Sequence, residues 1–217
     1  RNLAHEIKNP LGGIRGSAQL LERELDDPQL REYTQVIIAE ADRLQELMSR
    51  LLTSHRMMQP TQLNLHDVIE RVRRLILAEF PSIEVRRDYD TSLPSVTGDR
   101  EQLIQAILNV ARNAAQAMQG CGEIVMRTRA ARQVTLAKRR FKLAVQLQVI
   151  DNGPGIPDDI RDRIFYPLVS GRENGSGLGL SLAQSFIEQH HGAIEVESRP
   201  GRTCFTLFIP ITRDADA

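Results

Sequence analysis

Apolar side chains recur at helical spacing through the first part of the chain, about residues 1–58. In the first run they alternate at intervals of three and four residues, which is the heptad pattern of a helix that packs against other helices. These positions are Ala4, Ile7, Leu11, Ile14, Ala18, Leu21 and Leu25. Turn-forming residues at 26–28 end the run, so the pattern predicts a helix followed by a tight turn.

A second helical run follows the turn and has a wider apolar face. Its apolar positions include Leu30, Val36, Ile37, Ile38, Ala41, Leu44, Leu47, Met48, Leu51 and Leu52. Two helices with such wide apolar faces cannot bury them within one hairpin, whereas two hairpins paired as a four-helix bundle can. We therefore predict a helical-hairpin dimerisation domain over residues 1–58. Taken alone, the region also fits a dimerisation coiled coil that carries no chemistry.

From Asn64 onwards the pattern changes to mixed helices and strands. Asn64 and Asp99 are suited to cap helices that end near residues 79 and 118. The predicted strands are 83–88, 123–129, 141–150, 193–198 and 203–209, and another helix follows a loop from residue 175. Because the elements have no regular βαβ order, we predict an α+β fold with helices covering one face of a mixed sheet. Residues 64–217 would form this second domain, after a linker at 59–63.

Composition excludes several classes of protein. Lys and Arg number 28, as do Asp and Glu, so no long-range field favours nucleic acid or an acidic membrane surface. Cys121 and Cys204 form neither a disulfide framework nor a metal-ligand cluster, which fits a cytoplasmic protein. No apolar run approaches the ~20 residues that a membrane helix needs, and there is no signal peptide.

Since the chain opens at Arg1, we interpret it as a fragment and expect a sensing module upstream.

The first helix carries a histidine with neighbours suited to phosphoryl chemistry. His5 lies one step off the apolar seam, so we expect a surface imidazole that is neutral near pH 7 and nucleophilic. Glu6 can accept the proton that the imidazole releases, and the amide of Asn9, one turn further on, can orient a water molecule. Pro10 should bend the helix there. The zinc pattern His-Glu-x-x-His is broken because position 9 is Asn, so a metal site is disfavoured.

Paired asparagines on the long helix of the second domain suggest a cation site. Asn109 and Asn113 lie four residues apart and therefore share a helix face. Amide oxygens can complete the octahedral shell of a Mg²⁺ ion that also holds phosphate oxygens and water. We predict that Asn113 holds Mg²⁺ and that Asn109 holds Mg²⁺ or phosphate.

A turn and a glycine-rich segment complete a candidate nucleotide site. Asp151 follows an apolar strand and can accept a hydrogen bond from the exocyclic amine of adenine. Gly153 and Gly155 would let the backbone approach a flat base closely. Residues 175–180 open a helix whose free amides can bind phosphate; they include Gly175, Gly177, Leu178 and Gly179. The irregular stretch at 165–174 has the composition of a mobile lid, and Arg172 is its best candidate for a phosphate contact.

Two other classes of protein remain open at this point. An ATP hydrolase of the gyrase or MutL type would need a carboxylate that activates water in the asparagine helix, but position 109 is Asn. A noncatalytic ATP-sensing dimer would bind nucleotide without yielding a transferable phosphate.

These motifs, in this order, resemble the successive boxes of two-component sensor histidine kinases. The matching positions are His5-Glu6-x-x-Asn9-Pro10, Asn109-x-x-x-Asn113, Asp151-x-Gly153-x-Gly155, Phe165 and Gly175-x-Gly177-x-Gly179. Segments 4–14, 88–94 and 165–172 are most similar to the nitrogen-regulation branch of that family. The resemblance implies a Bergerat-type α/β sandwich, as in gyrase, Hsp90 and MutL, that binds ATP and Mg²⁺. It also implies that Phe165 and Thr203 belong to the ATP site.

The resemblance further implies partners and a second activity. His5 would be phosphorylated from ATP and would pass the phosphoryl group to an aspartate of an NtrC-type response regulator. The same protein would dephosphorylate that regulator, with Asn9 positioning water, and a PII signalling protein would shift the balance between the kinase and phosphatase activities.

Two positions depart from the pattern of many relatives. Arg112 stands where an acidic residue is common, and Gln116 stands where Lys or His is common.

Overall fold

The computed structural model describes residues 3–53, 58–169 and 177–211, with side chains in the first range described only for 9–42 and 44. The chain divides into two compact units, Arg1–Arg56 and Met57–Ala217. The predicted fold class is confirmed: a helical hairpin precedes an α/β sandwich.

The first unit is a helical hairpin formed by α1 (Leu3–Glu24) and α2 (Pro28–Thr53). Its turn is fixed by two hydrogen bonds: the backbone N–H of Gln29 donates to Asp27 Oδ1 (2.9 Å), and Arg31 Nε donates to the Leu25 carbonyl (2.6 Å). An ion pair between Arg15 and Asp42 (2.6 Å) joins the two helices. Helix α1 continues through Pro10.

Most of the apolar face of this hairpin is open to solvent in the single chain. Among its described side chains only Ala18, Thr34 and Ala41 are buried. Large apolar side chains are 40–67% exposed at Ile14, Leu20, Leu21, Leu30, Tyr33, Val36, Ile37 and Leu44. A surface of this kind marks a contact with another protein, as the width of the sequence pattern predicted.

The second unit contains seven strands and four helices in its described part. In chain order they are β1 (Thr61–Leu63), α3 (Leu65–Glu79), β2 (Ile83–Asp88), β3 (Val96–Gly98), α4 (Arg100–Ala117), β4 (Gly122–Leu136), β5 (Arg139–Asp151), α5 (Asp158–Arg161), α6 (Gly179–Gln189), β6 (Ala193–Arg199) and β7 (Arg202–Pro210).

Two predicted caps begin the helices that matter most for the site. The side chain of Asn64 accepts a hydrogen bond from the His66 N–H (2.9 Å) at the start of α3. Asp99 Oδ1 accepts from the N–H groups of Glu101 (3.0 Å) and Gln102 (3.1 Å) at the start of α4. Each cap satisfies amides that the first helical turn leaves without partners.

The main sheet is mixed and has the strand order β2-β4-β5-β7-β6. Strands β2 and β4 are parallel, and the other neighbours are antiparallel. Alternate residues across the middle of the sheet are fully buried, for example Met126, Val149 and Leu207. Helices α3, α4 and α6 contact the sheet and supply the other half of the core, with Ile69, Ile107 and Phe186 fully buried.

The described part of the chain contains three short elements that the sequence pattern did not predict, β1, β3 and α5. Thr61–Leu63, within the predicted linker, forms an antiparallel pair with Val96–Gly98. Runs of three residues are too short to show a period of two, so the sequence pattern does not reveal them. Strands β4 and β5 also extend past the predicted ends at residues 129 and 141. Most of the added residues are exposed and carry no clear alternation, so the sequence pattern does not reveal them.

Within the three described ranges, no helix combines the length and the apolar character that crossing a bilayer requires.

Candidate functional site

The asparagine face of α4 and the start of α6 lie against each other. A Cβ atom placed on Gly179 would be 3.9 Å from Cβ and from Cγ of Asn109. Asn109 is buried, with 7% of its surface exposed. Its Oδ1 accepts a hydrogen bond from Gln105 Nε2 (3.3 Å), whereas its Nδ2 has no hydrogen-bond partner among the residues that the structure describes. A buried donor without a partner is costly, so this amide fits a ligand acceptor that enters beside Gly179.

Asp151 lies at the end of β5 with 4% of its surface exposed. Its Oδ1 accepts a hydrogen bond from the Gly153 N–H (3.0 Å). Burial raises the pKa of this carboxyl group, and the Gly153 hydrogen bond opposes that shift. In the part of the chain that the structure describes, no group donates to Oδ2, so one carboxylate oxygen is left to accept a ligand donor.

The turn after β5 packs tightly against the β6–β7 turn. A Cβ on Gly153 would lie 2.8 Å from Asp151 Oδ1 and 3.1 Å from Met118 Cγ. Gly155 has φ +90°, and its Cβ would lie 3.0 Å from the Arg199 carbonyl carbon. The Gly201 N–H donates to the Gly153 carbonyl (2.9 Å). Both glycines are therefore required by close packing of this turn beside Asp151.

Thr203 is the direct neighbour of Asp151 in the β5–β7 register. Its hydroxyl is 2.9 Å from Ser198 Oγ, and Ser198 Oγ accepts a hydrogen bond from the Ile156 N–H (2.8 Å). These contacts tie the end of the Asp151 turn to β6 and β7. Sequence reasoning missed Ser198, because only the strand register places it beside Thr203.

Residues 165–169 contact β7 and the segment that leads into α6. Phe165 packs edge-on against Phe205, with ring centroids 6.4 Å apart. The Leu168 N–H donates to the Gly177 carbonyl (3.0 Å). Gly177 has φ +63°, and a Cβ there would lie 2.5 Å from the Leu168 carbonyl carbon. Only glycine meets both demands, so this glycine sets where α6 begins.

Leu178 and Gly179 place the first turn of α6 beside Asn109, and we call these residues and the Asp151 turn the candidate cleft. The Leu178 side chain is buried in the core, and its carbonyl accepts from Ser181 Oγ (3.0 Å). The backbone N–H groups of a first helical turn have no partner within the helix and attract anions. The structure thus brings Asn109 next to Gly179, with Gly177 two residues before Gly179 and Asn113 one turn further along α4.

Several predicted site residues lie outside what the structure describes. Arg172 and Gly175 belong to residues 170–176, and the side chains of His5 and Glu6 are likewise outside the described set. Asn9 is exposed on α1.

The two departures from the family pattern have different surroundings. Arg112 Nε forms an ion pair with Glu79 Oε2 (2.7 Å) at the end of α3. The positive charge beside Asn113 is therefore balanced within the protein. Gln116 is exposed on the last turn of α4.

Family comparison agrees with this arrangement. Residues 98–213 match the histidine kinase-, DNA gyrase B- and HSP90-like ATPases, and residues 1–60 match the His kinase A (phospho-acceptor) domain. Because the first match covers more than half of the chain, the chain belongs to this ATP-binding family, and the second match places it among the sensor histidine kinases.

Relatives within that class point to nitrogen regulation, which confirms the branch that the sequence predicted. The sensory histidine kinase/phosphatase NtrB of Vibrio alginolyticus is 53% identical over 216 residues, which is 98% of this chain and 62% of the relative. The chain therefore spans less than two thirds of the curated relatives that it matches.

Solved histidine kinases share the fold. Full-length ShkA in complex with AMPPNP has a TM-score of 0.69 and 26% identity, over 95% of this chain and 44% of ShkA. ThkA in complex with the response regulator protein TrrA has a TM-score of 0.65 and 28% identity, over 97% of this chain and 60% of that one.

Proposed function

We propose that the chain is the catalytic core of a sensor histidine kinase that phosphorylates His5 from ATP. The phosphoryl group then passes to an aspartate of an NtrC-type response regulator in nitrogen regulation, and the same core dephosphorylates that regulator. The observation that carries the proposal is the approach of Asn109 to Gly179. At the end of β5, Asp151 Oδ2 has no hydrogen-bond donor among the described residues and can accept one from a ligand. This site follows a hairpin that matches a phospho-acceptor domain.

The residues of the cleft fit ATP. The free oxygen of Asp151 would accept the adenine amine, and Gly153, Gly155 and Thr203 would lie around the base. The N–H groups at Gly177, Leu178 and Gly179 would donate to phosphate oxygens, and so would Asn109 Nδ2, which has no partner within the described ranges. Phe165, Arg172 and Gly175 would close the site from the lid side.

The site also fits Mg²⁺. The amide oxygen of Asn113 would be its protein ligand, with phosphate oxygens and water completing the shell, and Asn109 would bind the metal or a phosphate. When bound, the ion would neutralise charge on the phosphates.

His5 and Glu6 would carry out the bond changes of the transfer itself. A neutral imidazole nitrogen of His5 would attack the terminal phosphorus of ATP, the bond from phosphorus to the ADP oxygen would break, and Glu6 would accept the proton from the other ring nitrogen. For dephosphorylation, the amide of Asn9 would orient the water that attacks the regulator's phosphoaspartate.

Dimerisation would complete the phosphate-accepting domain. Two copies of the hairpin would bury the eight exposed apolar side chains in a four-helix bundle. We assign residues 1–58 to this domain, 59–63 to the linker and 64–217 to the ATP-binding domain, with β1 packing on the latter. The full-length protein would act in the cytoplasm, and a PII signalling protein would shift its kinase and phosphatase activities.

The proposal is tested by incubating the chain with labelled ATP and Mg²⁺. Acid-labile label should appear on the wild type and be absent from His5→Gln, while His191→Gln, an exposed histidine of the other unit, should label normally. Acid-labile label on His5→Gln would refute His5 as the acceptor. Asn9→Ala should keep labelling but slow the dephosphorylation of the regulator.

A further inference from the structure

His190 is a buried histidine that the proposed chemistry does not use. It lies at the end of α6, with 5% of its surface exposed. Its Nε2 accepts a hydrogen bond from the Asp99 N–H (2.9 Å), and its Nδ1 lies 2.7 Å from the Phe186 carbonyl oxygen. A backbone N–H can only donate and a carbonyl can only accept, so the imidazole is neutral and carries its proton on Nδ1. One ring nitrogen therefore binds its own helix, and the other binds the start of α4.

The backbone that His190 binds is itself fixed by several contacts. The Asp99 side chain caps α4 through Oδ1, and its Oδ2 accepts a hydrogen bond from the Gln59 N–H (2.9 Å). A Cβ atom added to Gly98 would lie 2.7 Å from His190 Cδ2 and 2.9 Å from Nε2. The imidazole ring thus packs directly on the backbone that leads into α4, and any larger residue at position 98 would force the ring to move.

Helices α4 and α6 pack against each other, and their contacts include one at each end of α6. At the end of α6, the hydrogen bond of His190 is accompanied by a second one from Gln102 Nε2 to Gln189 Oε1 (3.0 Å). At the beginning of α6, Gly179 lies beside Asn109. The start of α4 meets the end of α6, so the two helices are antiparallel.

The distance between these contacts is nearly the same on both helices. Asn109 follows Asp99 by ten residues, and Gly179 precedes His190 by eleven. At about 1.5 Å per residue, each helix spans roughly 15–17 Å between its two contacts. Because a helix moves as a stiff element, fixing His190 on the start of α4 also fixes where the first turn of α6 lies along α4. A shift of α6 would move its first N–H groups away from Asn109.

We propose that His190 is a positioning residue for phosphoryl transfer from ATP, which acts by holding the start of α6 beside Asn109. The inference rests on the proposed function in one respect, the binding of ATP phosphates by the first turn of α6. His190 lies at the opposite end of that helix and acts through it, without touching the nucleotide. Asp99 is the fixed point against which the helix is set.

Two substitutions at His190 separate its two hydrogen bonds. His190→Gln places an amide oxygen near the position of Nε2, so it can still accept from the Asp99 N–H. His190→Asn is shorter, so its amide can reach the Phe186 carbonyl but leaves the Asp99 N–H without its acceptor. Gly98→Ala keeps the imidazole and displaces it from α4. His191→Asn, at the exposed neighbouring position, is the control.

The test measures the affinities of the full chain for ATP and for adenosine in the presence of Mg²⁺. Titration calorimetry gives the ATP affinity, and competition with ATP gives that of adenosine, which has no phosphate to contact α6. His190→Asn and Gly98→Ala should weaken ATP binding about 3- to 30-fold and change adenosine binding by less than about twofold. His190→Gln and His191→Asn should bind both ligands like the wild type. Asp151→Asn, at the adenine end, should weaken both ligands.

Equal weakening of ATP and adenosine by His190→Asn would reduce His190 to a residue that only stabilises the fold, and would overturn the proposal. So would an unchanged ATP affinity in His190→Asn or in Gly98→Ala, or a loss in His190→Gln as large as that in His190→Asn. Circular dichroism verifies that each variant is folded at the titration temperature; if His190→Asn does not fold, Gly98→Ala decides by the same comparison.

Failure of the proposed function gives a different result. A wild-type chain that binds neither ATP nor adenosine would refute the ATP site and the positioning role together. A wild-type chain that binds ATP, with variants that lose no ATP selectivity, would refute the positioning role alone.

Discussion

Replacing Asp151 with Asn should separate adenine recognition from folding. Asp151 Oδ1 already accepts from the Gly153 N–H, so the adenine amine requires the second oxygen. Asn has one oxygen and one NH₂ group. In either orientation of the amide, the NH₂ group faces the Gly153 N–H or the adenine amine, so one of these two donors loses its acceptor. A polar group left unpaired costs about 1–3 kcal/mol, so ATP affinity should fall about 5- to 150-fold.

The same substitution should alter base preference. The Asn NH₂ group can donate to the carbonyl oxygen that guanine carries in place of the amine of adenine, so the ratio of ATP to GTP affinity should fall further than ATP affinity alone. Folding stability should not fall, because burial disfavours the ionised carboxylate that is removed.

Titration calorimetry with ATP and GTP measures both effects. Asp90→Asn is the control, because within the described ranges the Asp90 side chain accepts only from Ser92, on an exposed turn away from the cleft. An Asp151→Asn chain that binds ATP as tightly as the wild type would refute the assignment of Asp151 to the adenine amine.

Three further predictions concern the stability of the ATP-binding unit. Gly177→Ala should destabilise it by about 1–3 kcal/mol in urea unfolding, and by more than Gly201→Ala, which has a similar positive φ but nothing within 4 Å of the added Cβ. Burial lowers the pKa of the His190 imidazole below its ordinary 6.5, so as the pH falls the unfolded chain protonates this imidazole before the folded chain does. The free energy of unfolding should therefore keep its full His190 contribution above pH 6.5 and decrease below it. His190→Gln should remove that part of the decrease. Asn64→Ala removes the cap on α3 and should cost about 1 kcal/mol, seen as a lower thermal midpoint; an unchanged midpoint would contradict the capping role.

Features that depend on neighbouring residues were predictable from the sequence. The caps at Asn64 and Asp99 each use amides two or three residues further on, so a polar residue before a helical pattern suffices to predict them. The hairpin and the width of its apolar face follow from periodicity within each helix. The glycine at 177 was predicted as a phosphate-binding position, but its packing against Leu168 depends on a loop nine residues earlier.

Features that depend on register or on distant pairing were not predictable. The contact between Asn109 and Gly179 joins residues 70 positions apart, and no local pattern encodes it. Ser198 enters the site only through the pairing of β6 with β7, which places it beside Thr203. His190 was not singled out either, although its Nε2 accepts from the Asp99 N–H (2.9 Å) and so joins the end of α6 to the start of α4.

A crystal structure of the chain with a nonhydrolysable ATP analogue and Mg²⁺ tests the central claim most directly. The adenine amine should lie within hydrogen-bonding distance of Asp151 Oδ2, and the phosphates should contact the N–H groups that begin α6, next to Asn109. Adenosine bound elsewhere, with this cleft empty, would contradict the account.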